Sequence, residues 1–209
     1  MLIQRDTAAR IVDARASTSS AAPAPRRLRR GALLHLPERC DHLALRVAEG
    51  CLRVCHPLLD GRRQITDFLF AGDRIGLMEV RSHNGSIEAV TPATMVAFAA
   101  EGHDREEWPA DDLYRMRLGA LQSRLFMLGH KNAREKLAAF LLEMSERLAQ
   151  GEDGFRLPMS RYDIADYLCV SPETVCRNFT QMVADGLLAL PDSQTVRILH
   201  RASLEFIGR

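Results

Sequence analysis

Glu173 and Arg177 stand four residues apart in the stretch Ser171-Pro172-Glu173-Thr174-Val175-Cys176-Arg177. On a helix that spacing places both side chains on one face. An arginine fork is shaped for the O6/N7 edge of guanine, and a carboxylate accepts from cytosine N4. Two such groups on an exposed helix can therefore read base edges, at about 1–3 kcal/mol of discrimination each. The same pair on an ordinary helix would be a surface ion pair worth about 0–1 kcal/mol. The surroundings favour base reading. Ser171 is an N-cap, Pro172 occupies the first helical position where its missing N–H costs nothing, and Glu173 suits the positive end of the helix dipole. Just upstream, Ser160 with Asp163 three positions on starts another short helix. Ile164 and Leu168 point inward from it, and Ala165 is small where two helices would cross. Two short amphipathic helices around a tight turn, over residues 161–180, have the layout of a helix-turn-helix whose second helix enters the DNA major groove. Ser171, Thr174 and Gln181 are candidate phosphate contacts on that second helix.

Such a reader must be held by neighbouring elements. After Gly186, the segments 187–190 and 195–199 flank Pro191-Asp192-Ser193-Gln194, a small hairpin that would form a wing. Upstream, Asn132 and Glu135 have capping-box spacing. Leu137, Phe140, Leu141, Met144 and Leu148 follow with the i, i+3, i+4, i+7 pattern of a half-buried helix, which Gly151-Glu152-Asp153-Gly154 stops. Between Asp111 and Leu128 there is no proline, and apolar residues fall on two faces. Leu113, Leu118, Leu121, Leu125 and Leu128 recur along it, with Met116, Ala120 and Met127 on a different face. A helix apolar on two faces can pack on its own domain and on a partner helix, so Leu113, Met116, Ala120 and Met127 are candidate dimerisation residues.

Residues 32–99 read differently. Leu43–Val47 and Cys51–Cys55 alternate around a turn at Glu49-Gly50. Leu59-Asp60-Gly61 leads into Gln64–Phe70, and Ile87–Thr91 and Thr94–Phe98 flank Pro92. Short strands with regular turns predict a β-sandwich or roll. Residues 1–27 are poor in large apolar side chains, end in Ala-Ala-Pro-Ala-Pro and read as a disordered tail. The run Arg26, Arg27, Arg29 and Arg30 reads as solvated surface. The expected organisation is thus a tail over 1–27, a β domain over 28–108, a dimerisation helix over 109–131 and a winged helix-turn-helix over 132–209.

The 209 residues are 46% hydrophobic and 26% charged, enough for one or two domains with a real core. No apolar run approaches the roughly 20 residues of a membrane span, so no membrane association is expected. The net charge of +1 is low for a nucleic-acid binder, but reading bases through a few side chains needs only a local basic surface. The five cysteines, Cys40, Cys51, Cys55, Cys169 and Cys176, are an odd number with no mark of secretion. Reduced thiols in the cytoplasm are expected. No nucleophile–base pair, metal spacing or phosphate loop points to an enzyme.

The segments LPMSRYDIADYL, SPETVCR, HKNAREKLAAFL and FLFAGDRIG resemble, in kind and order, the CRP/FNR family of bacterial transcription regulators, nearest to its FNR and FixK branch. The resemblance covers about residues 28–209. It implies an α+β fold: an N-terminal β-roll of the cyclic-nucleotide-binding jelly-roll type, a long dimerisation helix and a C-terminal winged helix-turn-helix. It also implies a homodimer on a palindrome of double-stranded DNA, with RNA polymerase as a further partner. In the FNR branch the spacing E-x-x-S-R reads a TTGAT half-site, and here those positions are Glu173, Cys176 and Arg177. Three positions depart from the pattern. Cys176 replaces Ser or Gly, Cys169 stands where the turn usually has Gly, and Asn178 replaces an apolar residue under the recognition helix.

The expected signal input is open among several readings. A cyclic nucleotide would need an Arg-Ser phosphate cradle, and the matching segment Ser86-Ile87-Glu88-Ala89 offers a carboxylate instead. An iron–sulfur cluster needs about four cysteine ligands, and residues 1–39 contain none. Cys51 and Cys55 read as buried thiols on one strand face. Haem would need a ligand among His35, His42, His56, His83 and His103, which sit in no specific motif. The resemblance fits a FixK-type member that works without a cofactor and controls low-oxygen or respiratory genes. A haem- or small-molecule-gated regulator of nitric oxide type and an interaction module with a degenerate DNA reader are the alternatives. Cys169 or Cys176, near a helix N-terminus, could act as a redox handle.

Overall fold

Alternation of apolar side chains decides the N-terminal half. In the computed structural model, which describes residues 12–13, 25–38, 43–99, 118–119, 122, 124–126, 128–148 and 154–209, the chain divides into two units, Met1–Asp104 and Arg105–Arg209. The first unit contains β1 (Val12–Asp13), β2 (Arg26–Leu28), β3 (Leu33–His35), β4 (Leu43–Glu49), β5 (Cys51–Pro57), β6 (Arg63–Phe70), β7 (Arg74–Gly76), a short helix α1 (Leu77–Arg81), β8 (Ser86–Ala89) and β9 (Ala93–Ala99). One sheet has the order β1-β3-β8-β5-β6 and the other β2-β9-β4-β7. Leu45 and Val47 of β4 and Met95 and Ala97 of β9 come from one sheet. They share a core with Leu52 and Val54 of β5 and Ile87 and Ala89 of β8 from the other, and α1 adds Leu77 and Val80. This is the β-roll.

Two expectations change here. The hairpin at Glu49-Gly50 is not formed, because β4 and β5 lie in different sheets. The corner is instead a crossover. Gly50 has φ +85°, and a side chain there would meet Pro92 and stand 2.8 Å from Ala93 Cα. The neighbouring corner locks it, since Cys51 N donates to Thr91 Oγ1 at 2.9 Å and Val90 N donates to Cys51 O at 2.9 Å. The segment read as tail also contributes strand. β1 pairs in parallel with β3, and β2 pairs antiparallel with β9. Edge pairing uses backbone groups, so a segment poor in large apolar residues can still join a sheet.

The second unit begins with helical residues 118–119, 122, 124–126 and 128–130 (α2). It continues with α3 (Ala133–Leu148), β10 (Phe155–Arg156), α4 (Arg161–Leu168), α5 (Pro172–Ala184), β11 (Leu188–Ala189), β12 (Thr195–Ile198) and α6 (Arg201–Gly208). The cap of α3 forms as its sequence predicts. Asn132 N donates to Glu135 Oε2 at 2.9 Å, and Glu135 N donates to Asn132 Oδ1 at 3.0 Å. Leu137, Phe140, Leu141 and Met144 then bury a full face. α3 packs on α4, α5 and α6, whose Ile164, Leu168, Val175, Phe179, Met182 and Leu204 are similarly buried. The wing is a three-stranded sheet of order β10-β12-β11. The hairpin had been legible, but the two-residue strand β10 was not. The predicted dimerisation residues Leu113, Met116, Ala120 and Met127 lie outside the described residues. Among the described residues no helix is long and apolar enough to cross a membrane.

Candidate nucleic-acid interface

Local hydrogen bonding fixes both helices of the motif before any packing does. Ser160 and Asp163 close a reciprocal capping box on α4: Asp163 N donates to Ser160 Oγ at 3.1 Å, and Ser160 N donates to Asp163 Oδ2 at 3.0 Å. The turn that follows is made by Cys169 in the left-handed conformation, φ 55° and ψ 47°. Its N–H and that of Val170 both return to the Ala165 carbonyl, the latter at 3.1 Å. Ala165 is fully buried there, as a small residue must be where the next helix crosses. Ser171 then caps α5, accepting from Thr174 N at 3.2 Å, with Pro172 in the first turn.

The predicted reading face is exposed. Glu173, Cys176, Arg177 and Gln181 are all solvent-accessible, while Val175, Phe179 and Met182 on the same helix are buried. Glu173 and Arg177 do not pair with each other. The carboxyl of Glu173 is held below its usual range by its own backbone N–H and then by the Ser171 hydroxyl. It is therefore an ionised acceptor at neutral pH. Arg177 forms no hydrogen bond or ion pair with any described residue. Its five N–H donors are unspent, so the surface ion pair considered for these two residues does not form.

The remaining predicted residues divide. Thr174 and Ser171 share a hydroxyl–hydroxyl hydrogen bond of 3.0 Å at the start of α5. Gln181 is not free: its Nε2 donates to Asp185 Oδ1 at 2.8 Å, and Asp185 is paired with Arg134 at the start of α3. Those two partners, Arg134 first and then Gln181, hold the Asp185 carboxyl below its usual range. Gln181 thus ties the end of the recognition helix to α3. Asn178, which replaces an apolar residue of the family pattern, donates through Nδ2 to the Thr174 carbonyl at 2.8 Å. Bonding one turn back supplies the partner its position would otherwise lack.

The wing turn is built on Asp192. Its Oδ1 accepts from Gln194 N at 2.7 Å and Thr195 N at 2.9 Å, and its Oδ2 accepts from Thr195 Oγ1 at 2.8 Å. Those bonds, the Gln194 amide foremost, pull its pKa to about 2. Arg156 of β10 donates to the Gln194 side chain. Arg161, the first residue of α4, donates to the Ser193 carbonyl at 3.3 Å. Nothing in the sequence marked Arg161. It directly follows a cap residue and reads as solvated surface, and the residues it touches are 18 and 32 positions away.

Comparison with known proteins agrees with this geometry. Residues 135–207 match the Crp-like helix-turn-helix domain. The chain is 35% identical over 158 residues to the nitrogen fixation regulation protein FixK of Rhizobium meliloti (strain 1021), covering 76% of this chain and 74% of that protein. This chain belongs to the CRP/FNR family, in its FixK-like branch. It is a DNA-binding transcription regulator. The transcriptional activatory protein AadR of Rhodopseudomonas palustris (strain ATCC BAA-98 / CGA009) is 34% identical over 162 residues, 72% of this chain and 67% of that one. The structure of FixK2 from Bradyrhizobium japonicum superposes with a TM-score of 0.78 at 30% identity, over 90% of this chain and 98% of that one.

CRP/FNR regulators raise the question of a bound group in the β-roll. The candidate cyclic-nucleotide segment is occupied by its own charges. Glu88 Oε2 accepts from Arg53 Nε at 2.7 Å and lies 3.7 Å from Arg63 Nη1. A second anion there would compete with a carboxylate that is already seated, so these residues do not fit a nucleotide phosphate. Cys40 lies outside the described residues, and among the described ones a cluster fits no better. Cys51 and Cys55 are buried in β5, Cys169 and Cys176 are exposed in the other unit, and among the described residues no three ligand-type side chains gather for a metal.

Proposed function

We propose that the protein is a homodimeric activator that reads a TTGAT-like palindrome and controls genes of low-oxygen or respiratory metabolism in the cytoplasm, with RNA polymerase as its further partner. Glu173 and Arg177 contact base edges, with Cys176 between them. Ser171 and Thr174 lie against the backbone at the helix start. The observation that carries this reading is the unspent Arg177 guanidinium, one turn from an ionised Glu173, on a helix whose start is fixed by Ser171 and Pro172. Binding then requires no internal ion pair to break. Dimerisation through α2 is supported by Leu118, Leu125 and Phe126. These are 46%, 71% and 64% exposed in the single chain, an arrangement that a partner helix would cover.

Fluorescence anisotropy on a TTGAT palindrome, a scrambled control and Arg177→Ala tests the reading. Tight, salt-dependent binding to the palindrome is expected. Arg177→Ala should lose about 1–3 kcal/mol per half-site and discriminate less well at the guanine position. Equal affinity for palindrome and scrambled DNA, or an Arg177→Ala variant that binds like the parent, would overturn it.

A further inference from the structure

Arg161 occupies a position that charge alone does not explain. It is the first residue of α4, at the positive end of a helix dipole, where a cation is disfavoured. It is half-buried and forms no ion pair with any described residue. Its guanidinium carbon lies over the buried ring of Phe179, 3.4 Å from the centroid, on the inward side of the recognition helix. From there one N–H reaches the Ser193 carbonyl in the wing turn at 3.3 Å. One side chain therefore joins three pieces: carried by the start of the first helix, it touches the underside of the second and the tip of the wing. Burial lowers the affinity of this guanidinium for its proton, an effect partly countered by nearby Cys176.

We infer that Arg161 is a positioning residue that sets the spacing of the wing relative to the recognition helix through the stack on Phe179 and the bond to the Ser193 carbonyl. The wing turn is otherwise held within itself by Asp192, and from outside by the Arg156–Gln194 contact and by Leu157 N, which donates to the Gln194 carbonyl at 2.9 Å. Without the Arg161 clamp its tip has fewer bonds to the helices it must act beside. A lysine keeps the charge but cannot reproduce a planar stack with a fixed donor direction. The requirement is for the shape of arginine and not its charge.

The inference rests on the DNA-binding reading above, so its test has one arm without DNA. In the free protein, hydrogen exchange at the amides of residues 193–195 should speed up in both Arg161→Lys and Arg161→Gln, while exchange within α3 stays unchanged. With the palindrome, both variants should bind roughly tenfold more weakly, as lost pre-organisation, with the salt slope of the parent. If Arg161 instead makes only a direct phosphate contact, wing exchange will not change. Arg161→Lys will then bind nearly like the parent, and Arg161→Gln will lose about one unit of salt slope per half-site, roughly two for the dimer. That pattern overturns the inference, as does unchanged exchange and unchanged binding in both variants. If the wing loosens as expected but even the parent protein ignores the palindrome, the clamp stands and the DNA reading falls.

Discussion

Replacing Cys169 by glycine should make the helix-turn-helix unit more stable. Cys169 closes α4 at φ 55° and ψ 47°. A side chain in that conformation costs about 1–2 kcal/mol through its Cβ against the neighbouring carbonyl. Glycine avoids this clash but gains freedom in the unfolded chain worth about 0.4–1 kcal/mol. The difference leaves about 1 kcal/mol in favour of the variant. The hydrogen bonds of the turn survive, because the Cys169 and Val170 amides that bond to the Ala165 carbonyl belong to the backbone. Urea unfolding followed by helical circular dichroism reads the change, and in a unit of this size about 1 kcal/mol corresponds to roughly 4–8 °C in Tm. Cys169→Ala is the decisive control, since it removes the thiol and keeps the strain. It should gain nothing. DNA affinity should stay within about twofold, because Cys169 precedes the cap of α5 and is not on its reading face. If Cys169→Ala matches Cys169→Gly, the thiol and not the backbone was at fault, and the argument from φ is wrong.

Three further outcomes follow from particular contacts. Gly50→Ala should destabilise the β-roll by roughly 2–4 kcal/mol, because it combines an unfavourable φ with a clash at the Pro92–Ala93 backbone; a change below about 0.5 kcal/mol in urea unfolding would contradict the crossover geometry. The wing should loosen in acid. The Asp192 pKa is depressed to about 2 from 3.8, so its stabilisation is complete above about pH 4 and is lost as pH falls toward 2. Protection of the Gln194 and Thr195 amides, relative to their intrinsic exchange rates at each pH, should therefore hold at pH 5 and fall only below pH 4, and protection already lost at pH 6 would refute it. Cys176→Ser should bind the palindrome a few-fold more tightly, since a hydroxyl donates better than a thiol and one such bond is worth about 0.5–1.5 kcal/mol. It should also lose any peroxide sensitivity of binding. Undiminished sensitivity in that variant would remove Cys176 as the redox handle.

Local signals were the legible part of this chain. Ser160 with Asp163 and Asn132 with Glu135 act within four residues and form the bonds their spacing predicts, and the Ser171 cap accepts from Thr174 N beside Pro172. The apolar period of α3 likewise needs no partner to be recognised. What escaped depends on residues far apart. Glu49-Gly50 carries a hairpin signal, but whether a turn joins neighbours or switches sheets is decided by Pro92 and Thr91, some forty residues away. Strand β10 is two residues long and exists because Phe155 pairs with Val196. Gln181 is a candidate phosphate contact by sequence, and its bond to Asp185, itself anchored by Arg134, is a tie that the sequence does not show.

The same distinction bears on how a chain with a net charge of +1 reads DNA. Affinity without sequence preference scales with the number of phosphates neutralised, and here 28 lysines and arginines are set against 27 aspartates and glutamates. Several of the cations near the reader are already committed. Arg161 is spent on Phe179 and Ser193, Arg134 on Asp185, and Arg156 on Gln194. Arg177 is left unspent on the exposed face of α5. The bound cations set geometry, and the unspent one is available to discriminate. A reader built this way should gain most of its preference for the correct site from few base contacts on a rigid frame. Its affinity for random DNA should be weak and should decay with salt more gently than that of a strongly basic relative. A salt slope on random DNA as steep as that of a protein making about ten phosphate contacts would be incompatible with this division of labour.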